Sequence, residues 1–158
     1  MRWRYGLILR GRDLSEFELE VAGYQVPGFA GDIFDANWLI VEGRVAPADE
    51  RAWEFRDPAL LTWEVERLSN WLNALASGAA VEDGEDFLEP NLRFEVVNRR
   101  EDTITLRVYF ELESRPPWFF ADAAGMDDLW VDLRVDNDDL CAAAESLRRD
   151  LARFPARP

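Results

Sequence analysis

Thr103-Ile104-Thr105-Leu106-Arg107-Val108-Tyr109-Phe110-Glu111-Leu112-Glu113 alternates in polarity along its whole length. A strand turns successive side chains to opposite faces, so this spacing predicts a β-strand. Ile104, Leu106, Val108, Phe110 and Leu112 face a core, and Thr105, Arg107, Tyr109 and Glu111 face outward. Having one wet face marks an antiparallel sheet, because parallel strands covered on both sides read as continuous apolar runs.

The same period recurs on either side. Leu92, Phe94 and Val96 point inward within 91–97, as do Leu129, Val131, Leu133 and Val135 within 129–135. Upstream, Phe17, Leu19 and Val21 alternate with Glu16, Glu18 and Glu20, which places those carboxylates on the outer face. Residues 38–45 and 51–56 read as a hairpin with Trp53 and Phe55 on its apolar side, and residues 3–10 as a first strand. Two stretches change to helical spacing. Leu61, Val65, Leu68, Leu72 and Leu75 share one helix face, with Thr62 as N-cap and Gly78 as stop. Leu140, Ala144, Leu147, Leu151 and Phe154 share another; Asp136 to Asp139 crowd its start and Arg148, Arg149 and Arg153 its end, the polarity a helix dipole favours. The order is β-β-β-β-α-β-β-β-α. The expected fold is α+β, a mainly antiparallel sheet of about six to seven strands with two helices packed on one face. Residues 1–158 are expected to form a single domain.

A chain of 158 residues can bury roughly 70% of its unfolded surface, enough for an ordinary core. Seven Trp and ten Phe favour a packed globule over disorder. No apolar run approaches the roughly 20 residues of a membrane helix. Gly6-Leu7-Ile8-Leu9, flanked by Tyr5 and Arg10, is too short for a signal-peptide core, so cytoplasmic residence is expected. The charge is strongly acidic: 32 Asp and Glu against 18 bases, net −14. Every base is Arg. Such a surface repels phosphate, so neither nucleic acid nor an anionic membrane is the expected partner, whereas a basic protein would be attracted. The same acidity also serves plain solubility.

The residues that are missing exclude much chemistry. Without His there is no Ser-His or Cys-His pair, no His-bearing zinc site and no imidazole base. Without Lys there is no Walker phosphate loop and no Schiff base. Cys141 is the only cysteine and, in Leu140-Cys141-Ala142-Ala143-Ala144, is expected to be a partly buried helix residue. Asp136-Asn137-Asp138-Asp139 begins like a calcium loop, but Cys141 and Leu147 occupy the positions that need Gly and Glu, so a helix cap is expected. No metal, no cofactor and no catalytic residue is expected.

Two stretches remain as candidate partner-binding sites. Glu82, Asp83, Glu85, Asp86 and Glu89 surround Phe87 and Leu88, an arrangement in which charge could steer a basic partner and the ring anchor it. A solvated loop is the bland alternative. Trp118, Phe119 and Phe120 follow Arg115-Pro116-Pro117 and are either a lid over the core or an exposed contact patch.

Five phrases in order carry a resemblance: Gly23-Tyr24-Gln25-Val26-Pro27; Asp35-Ala36-Asn37-Trp38-Leu39-Ile40-Val41-Glu42-Gly43; Trp53-Glu54-Phe55-Arg56-Asp57-Pro58; Leu60-Leu61-Thr62-Trp63-Glu64-Val65; and Glu89-Pro90-Asn91-Leu92. Together, over about residues 23–97, they resemble the bacterial WapI-like immunity proteins of contact-dependent toxin systems. The resemblance implies a non-enzymatic protein that binds and neutralises a cognate toxin, often a nuclease. It supplies no catalytic residues and no toxin-contact motif. Asp35 and Asn37 are expected to hold the turn entering a strand, and Trp38 to fill the core. The rival readings are a carboxylate-only hydrolase and a structural or homo-oligomeric module joined through Trp118 to Phe120.

Overall fold

Each half of the chain folds its alternating strands into a meander of its own. In the computed structural model, which describes residues 6–28, 31–119 and 128–158, the first meander holds β1 (Leu7–Arg10), β2 (Glu16–Tyr24), β3 (Trp38–Ala46) and β4 (Trp53–Leu61). The second holds β5 (Gly84–Asp86), β6 (Leu92–Arg99), β7 (Thr103–Phe110) and β8 (Trp130–Asp136). All pairings are antiparallel, in the orders β1-β2-β3-β4 and β5-β6-β7-β8. The α+β class and the antiparallel pairing therefore stand, but two four-stranded sheets replace the expected single sheet. Alternation tells which residues face a core; it does not tell which sheet a strand joins.

Helix α2 (Thr62–Ser77) separates the two meanders, and α3 (Asn137–Arg153) follows the second. A short helix α1 (Ile33–Asn37), not anticipated, precedes β3; Asp32 caps it by accepting from Asp35 N at 2.8 Å. A 3-10 turn, Leu112–Ser114, follows β7. The helices were expected on one face of one sheet. Instead α3 lies along β1, β2 and β8, while α2 packs on α3 and on β4. The sheets approach edge to edge there: Arg12 N donates to Arg134 O at 3.2 Å, and the Arg12 guanidinium meets Asp136 at 3.0 Å.

Aromatic rings join the sheets face to face. Phe110 of β7 packs edge-on against Trp53, Phe17 and Phe55 of the first sheet, with centroids 5.3, 5.7 and 6.2 Å away. Phe94 of β6 meets Phe17 at 6.0 Å. Gly43, opposite Phe55 in the ladder, makes room for this: a Cβ there would lie 2.1 Å from the Phe55 ring.

Most inward assignments hold, including Ile104, Leu106, Val108 and Phe110, all buried. Three do not. Leu112, 55% exposed, has left the strand for the 3-10 turn. Tyr109 is on the outer face but buried, covered by the Arg93 guanidinium 3.5 Å above its ring and by Trp130. Glu18, expected to be wet, is buried.

The helix ends follow local rules, with one reassignment. Gly78 stops α2 in a left-handed conformation, φ 74°, with its N–H bonded to Leu75 O and that of Ala79 to Ala74 O. Thr62 is inside the helix rather than its cap; Glu64 instead accepts from Leu61 N at 2.9 Å. Asp136 and Asp139 cap α3 reciprocally, accepting from each other's backbone N–H, as the cap reading requires. Cys141 is exposed on α3, not partly buried, because Leu140, Ala143 and Ala144 take the packed side.

A bulge in β2 between Val21 and Gly23 interrupts the ladder to β3. The Val21 N–H, beside the bulge, bonds to the buried carboxylate of Asp150 in α3, at 2.6 Å. Asn37 makes a second long-range tie. Its Nδ2 donates to Ile33 O and Arg157 O, and its Oδ1 accepts from Thr62 Oγ1 and Arg157 N, all at 2.8 Å. Arg157 adds bonds to Ala36 O, Pro27 O and Val26 O and stacks 3.7 Å over Tyr24. Asn37 thus serves the fold as expected. Trp38 does not fill the core; it is half-buried, and the inward position belongs to Leu39.

Asn37→Ala removes four bonds and strands buried partners, so we expect a loss of about 3 kcal/mol in urea unfolding. Hydrogen exchange in residues 155–158 should accelerate in the same variant. Unchanged stability would show that Asn37 is not the tie.

Candidate partner-binding surface

The 82–89 segment folds back against α2 and the edge of the second sheet. The Trp71 indole donates to Glu82 O at 2.8 Å, and Val96 N donates to Asp83 O at 2.7 Å. Gly84–Asp86 then pairs with β6, so part of the expected loop is an edge strand. Glu64 holds the far end, accepting from Leu88 N with its second carboxylate oxygen at 2.8 Å.

Several of the acids there already have arginine partners. Asp83 pairs with Arg99 at 2.8 Å and Glu85 with Arg67 at 2.7 Å. Arg67 also donates to Asp86 O and lies over the Phe87 ring. Phe87 was expected as a surface anchor. It is 9% exposed, edge-on to Phe94 in the core. Leu88, 63% exposed, is the apolar side chain this segment offers to solvent. Glu82, Asp83, Asp86 and Glu89 are exposed.

Trp118 and Phe119 lie elsewhere, beside β4. Trp118 stands edge-on to Trp53 at 6.4 Å, carries the Arg51 guanidinium 4.0 Å over its face, and stays 38% exposed. It is both lid and surface. Phe119 is half-buried under Arg115, while Phe120 lies outside the described residues.

Between the two stretches, Asn91 brings the 88–91 and 111–114 segments together: its carbonyl accepts from Glu111 N at 3.0 Å and from the Ser114 hydroxyl. Its side chain crosses to β4, where Nδ2 donates to Asp57 Oδ2 at 3.1 Å. Burial and the nearby Glu113 push the Asp57 carboxyl above its ordinary range; the Asn91 bond opposes this, and Glu89 adds to it. Asp57, Leu112 and Glu113 were not anticipated as site residues. Their meeting depends on how the 3-10 turn folds onto β4, which leaves no periodic trace in sequence.

A largely apolar groove of about 400 Å3 lies between α2 and α3, lined by residues including Thr62, Glu66, Asn70, Arg148, Leu151 and Pro155. Among the described residues, no helix is long and apolar enough to cross a membrane.

The sequence matches the Immunity protein WapI-like family over residues 8–155, and the chain belongs to that family. The match extends well beyond the five phrases at 23–97 and takes in both sheets and α3. No curated protein and no solved structure matches the chain.

Because its folded-state pKa is raised, Asp57 contributes stability that is full below the ordinary Asp range and is lost as pH rises through the raised value. Asp57→Asn removes that loss. Its urea midpoint relative to wild type should therefore rise from about pH 4 towards neutrality. A constant difference across that range would contradict a raised carboxyl.

Proposed function

We propose that this chain binds a basic toxin domain and neutralises it by occlusion, without catalysis of its own. The observation that carries this is membership of the WapI-like immunity family over residues 8–155. Charge supports the basic partner: at net −14 the chain attracts a cationic surface such as that of a nuclease. In this reading Glu82, Asp83, Glu85, Asp86 and Glu89 steer the partner, and Trp118 and Phe119 extend the contact. Phe87 supports the segment from within. The partner meets the chain in the cytoplasm.

The test is co-expression and pull-down with the toxin candidate encoded beside this gene. We expect the chain to rescue growth and to co-purify with that protein, with affinity falling as salt rises. Reversing Glu82 and Asp83 to Lys should slow association by about tenfold and leave dissociation nearly unchanged, the signature of rim charges. Growth arrest despite soluble expression, with no co-purification at low salt, would reject the immunity reading. Salt-independent binding would reject the electrostatic part of it.

A further inference from the structure

Strand register sorts the outer face of the second sheet into cross-strand rows. Asp86, Arg93, Tyr109 and Trp130 stand side by side in the first row, and Glu95, Arg107 and Asp132 in the second. Thr105 and Arg134 form a third. The alternate residues of these strands, such as Phe94, Val108 and Leu133, are in the core, so the rows look away from it. They remain open to solvent: Trp130 is 43% exposed, Asp86 and Arg134 are exposed, and Arg93, Glu95, Arg107 and Asp132 are half-buried.

Charge sets this face apart. Its rows hold three acids, Asp86, Glu95 and Asp132, and three arginines, Arg93, Arg107 and Arg134, so they are neutral in a chain of net −14. Asp136, at the end of β8, is matched by Arg12 at 3.0 Å. The outer rows of the first sheet differ. There Glu16, Glu18 and Glu20 of β2, Glu42 of β3 and Glu54 of β4 outnumber three arginines, and Glu20 stands directly opposite Glu42.

Composition sets it apart as well. The Arg93 guanidinium lies 3.5 Å over the Tyr109 ring, Tyr109 packs on Trp130 at 6.0 Å, and Arg107 lies 4.5 Å over the Trp130 ring. Asp132 holds Arg107 by two bonds, at 2.8 and 3.0 Å, and Glu95 accepts from the Tyr109 hydroxyl at 3.1 Å. Trp, Tyr and Arg are the residues that most often dominate binding at protein interfaces. Here they are already stacked and bonded, so little side-chain freedom remains to be lost on contact.

Two chains of net −14 repel one another. Meeting through the first sheet's outer face or through the 82–89 acids would set like charges together. The neutral rows instead bring arginines of each copy within reach of acids of the other. Two-fold association uses one patch twice, and a patch of mixed sign is self-complementary. Area sets the strength: four strands about 4.8 Å apart and about 20 Å long present at most roughly 400 Å2 a side, against ~800 Å2 in a stable interface. The contact is therefore weak and concentration-dependent.

We propose that two copies of this chain associate through the outer face of the second sheet, with Trp130 as the apolar anchor and Arg134 meeting an acid of the opposite copy. This goes beyond the toxin-binding reading and does not depend on it.

Sedimentation equilibrium from about 5 μM to about 1 mM tests the proposal. We expect monomer at the low end and dimer at the high end, with a dissociation constant of roughly 100 μM. Raising salt from about 20 mM to about 200 mM should strengthen the dimer severalfold by screening the net repulsion, the opposite of its effect on toxin binding. Trp130→Ala and Arg134→Glu should each weaken association about tenfold. Arg134 is exposed, so its variant decides the matter if Trp130→Ala proves unstable. Trp118→Ala, on another surface, should change nothing. A chain that stays monomeric throughout, or a dimer that weakens with salt, would overturn the proposal. So would a dimer that either folded variant leaves intact, or one that Trp118→Ala abolishes.

Discussion

Phe110 sits where the two sheets press together, and much of the molecule is arranged around that ring. It touches Trp53, Phe17 and Phe55 from three directions, all edge-on, the geometry in which aromatic quadrupoles attract. Its placement has consequences along the chain. β7 must end there, so the backbone turns out of the sheet into the 3-10 segment. The Trp53 indole then donates to Ser114 O at 2.9 Å, pinning that turn to β4. Gly43 must remain without a side chain for Phe55 to reach its place. The surface where 88–91 meets 111–114 is therefore a product of core packing, not a loose loop laid over it.

This origin bears on binding. A surface held by buried bonds at Asn91 and Ser114 loses little conformational freedom on contact, so its charges act from fixed positions. Arginine has two roles across the chain. Some guanidinia tie strands and helices, as Arg157 does around Asn37 and Arg12 between the sheet edges. Others cap carboxylates on outer faces and lower the local field. Net charge indicates the sign of a partner that such a surface would attract.

Much of the fold was legible in the sequence because alternation and helical spacing are local. Seven strands, two helices, the Gly78 stop and the α3 cap follow from residues close together in the chain. The division into two sheets was not legible, because it depends on α2 diverting the chain after β4. Tyr109 shows the same limit: its period is right, but Arg93 and Trp130 cover it from neighbouring strands. At the candidate surface, acidity at 82–89 was plain in sequence, whereas the arginines that neutralise part of it come from α2 and β6. Phe87 read as an anchor because it sits among acids; its packing on Phe94 could not be seen from that context. Asn37 was read as structural, yet its partner Arg157 lies 120 positions away.

Hydrogen exchange of the chain, alone and saturated with a toxin candidate encoded beside its gene, tests the proposed binding role most directly. Added protection is expected in 82–89 and around Trp118 and Phe119, with the α2–α3 groove unchanged. Protection centred on that groove, or none despite a formed complex, would contradict it.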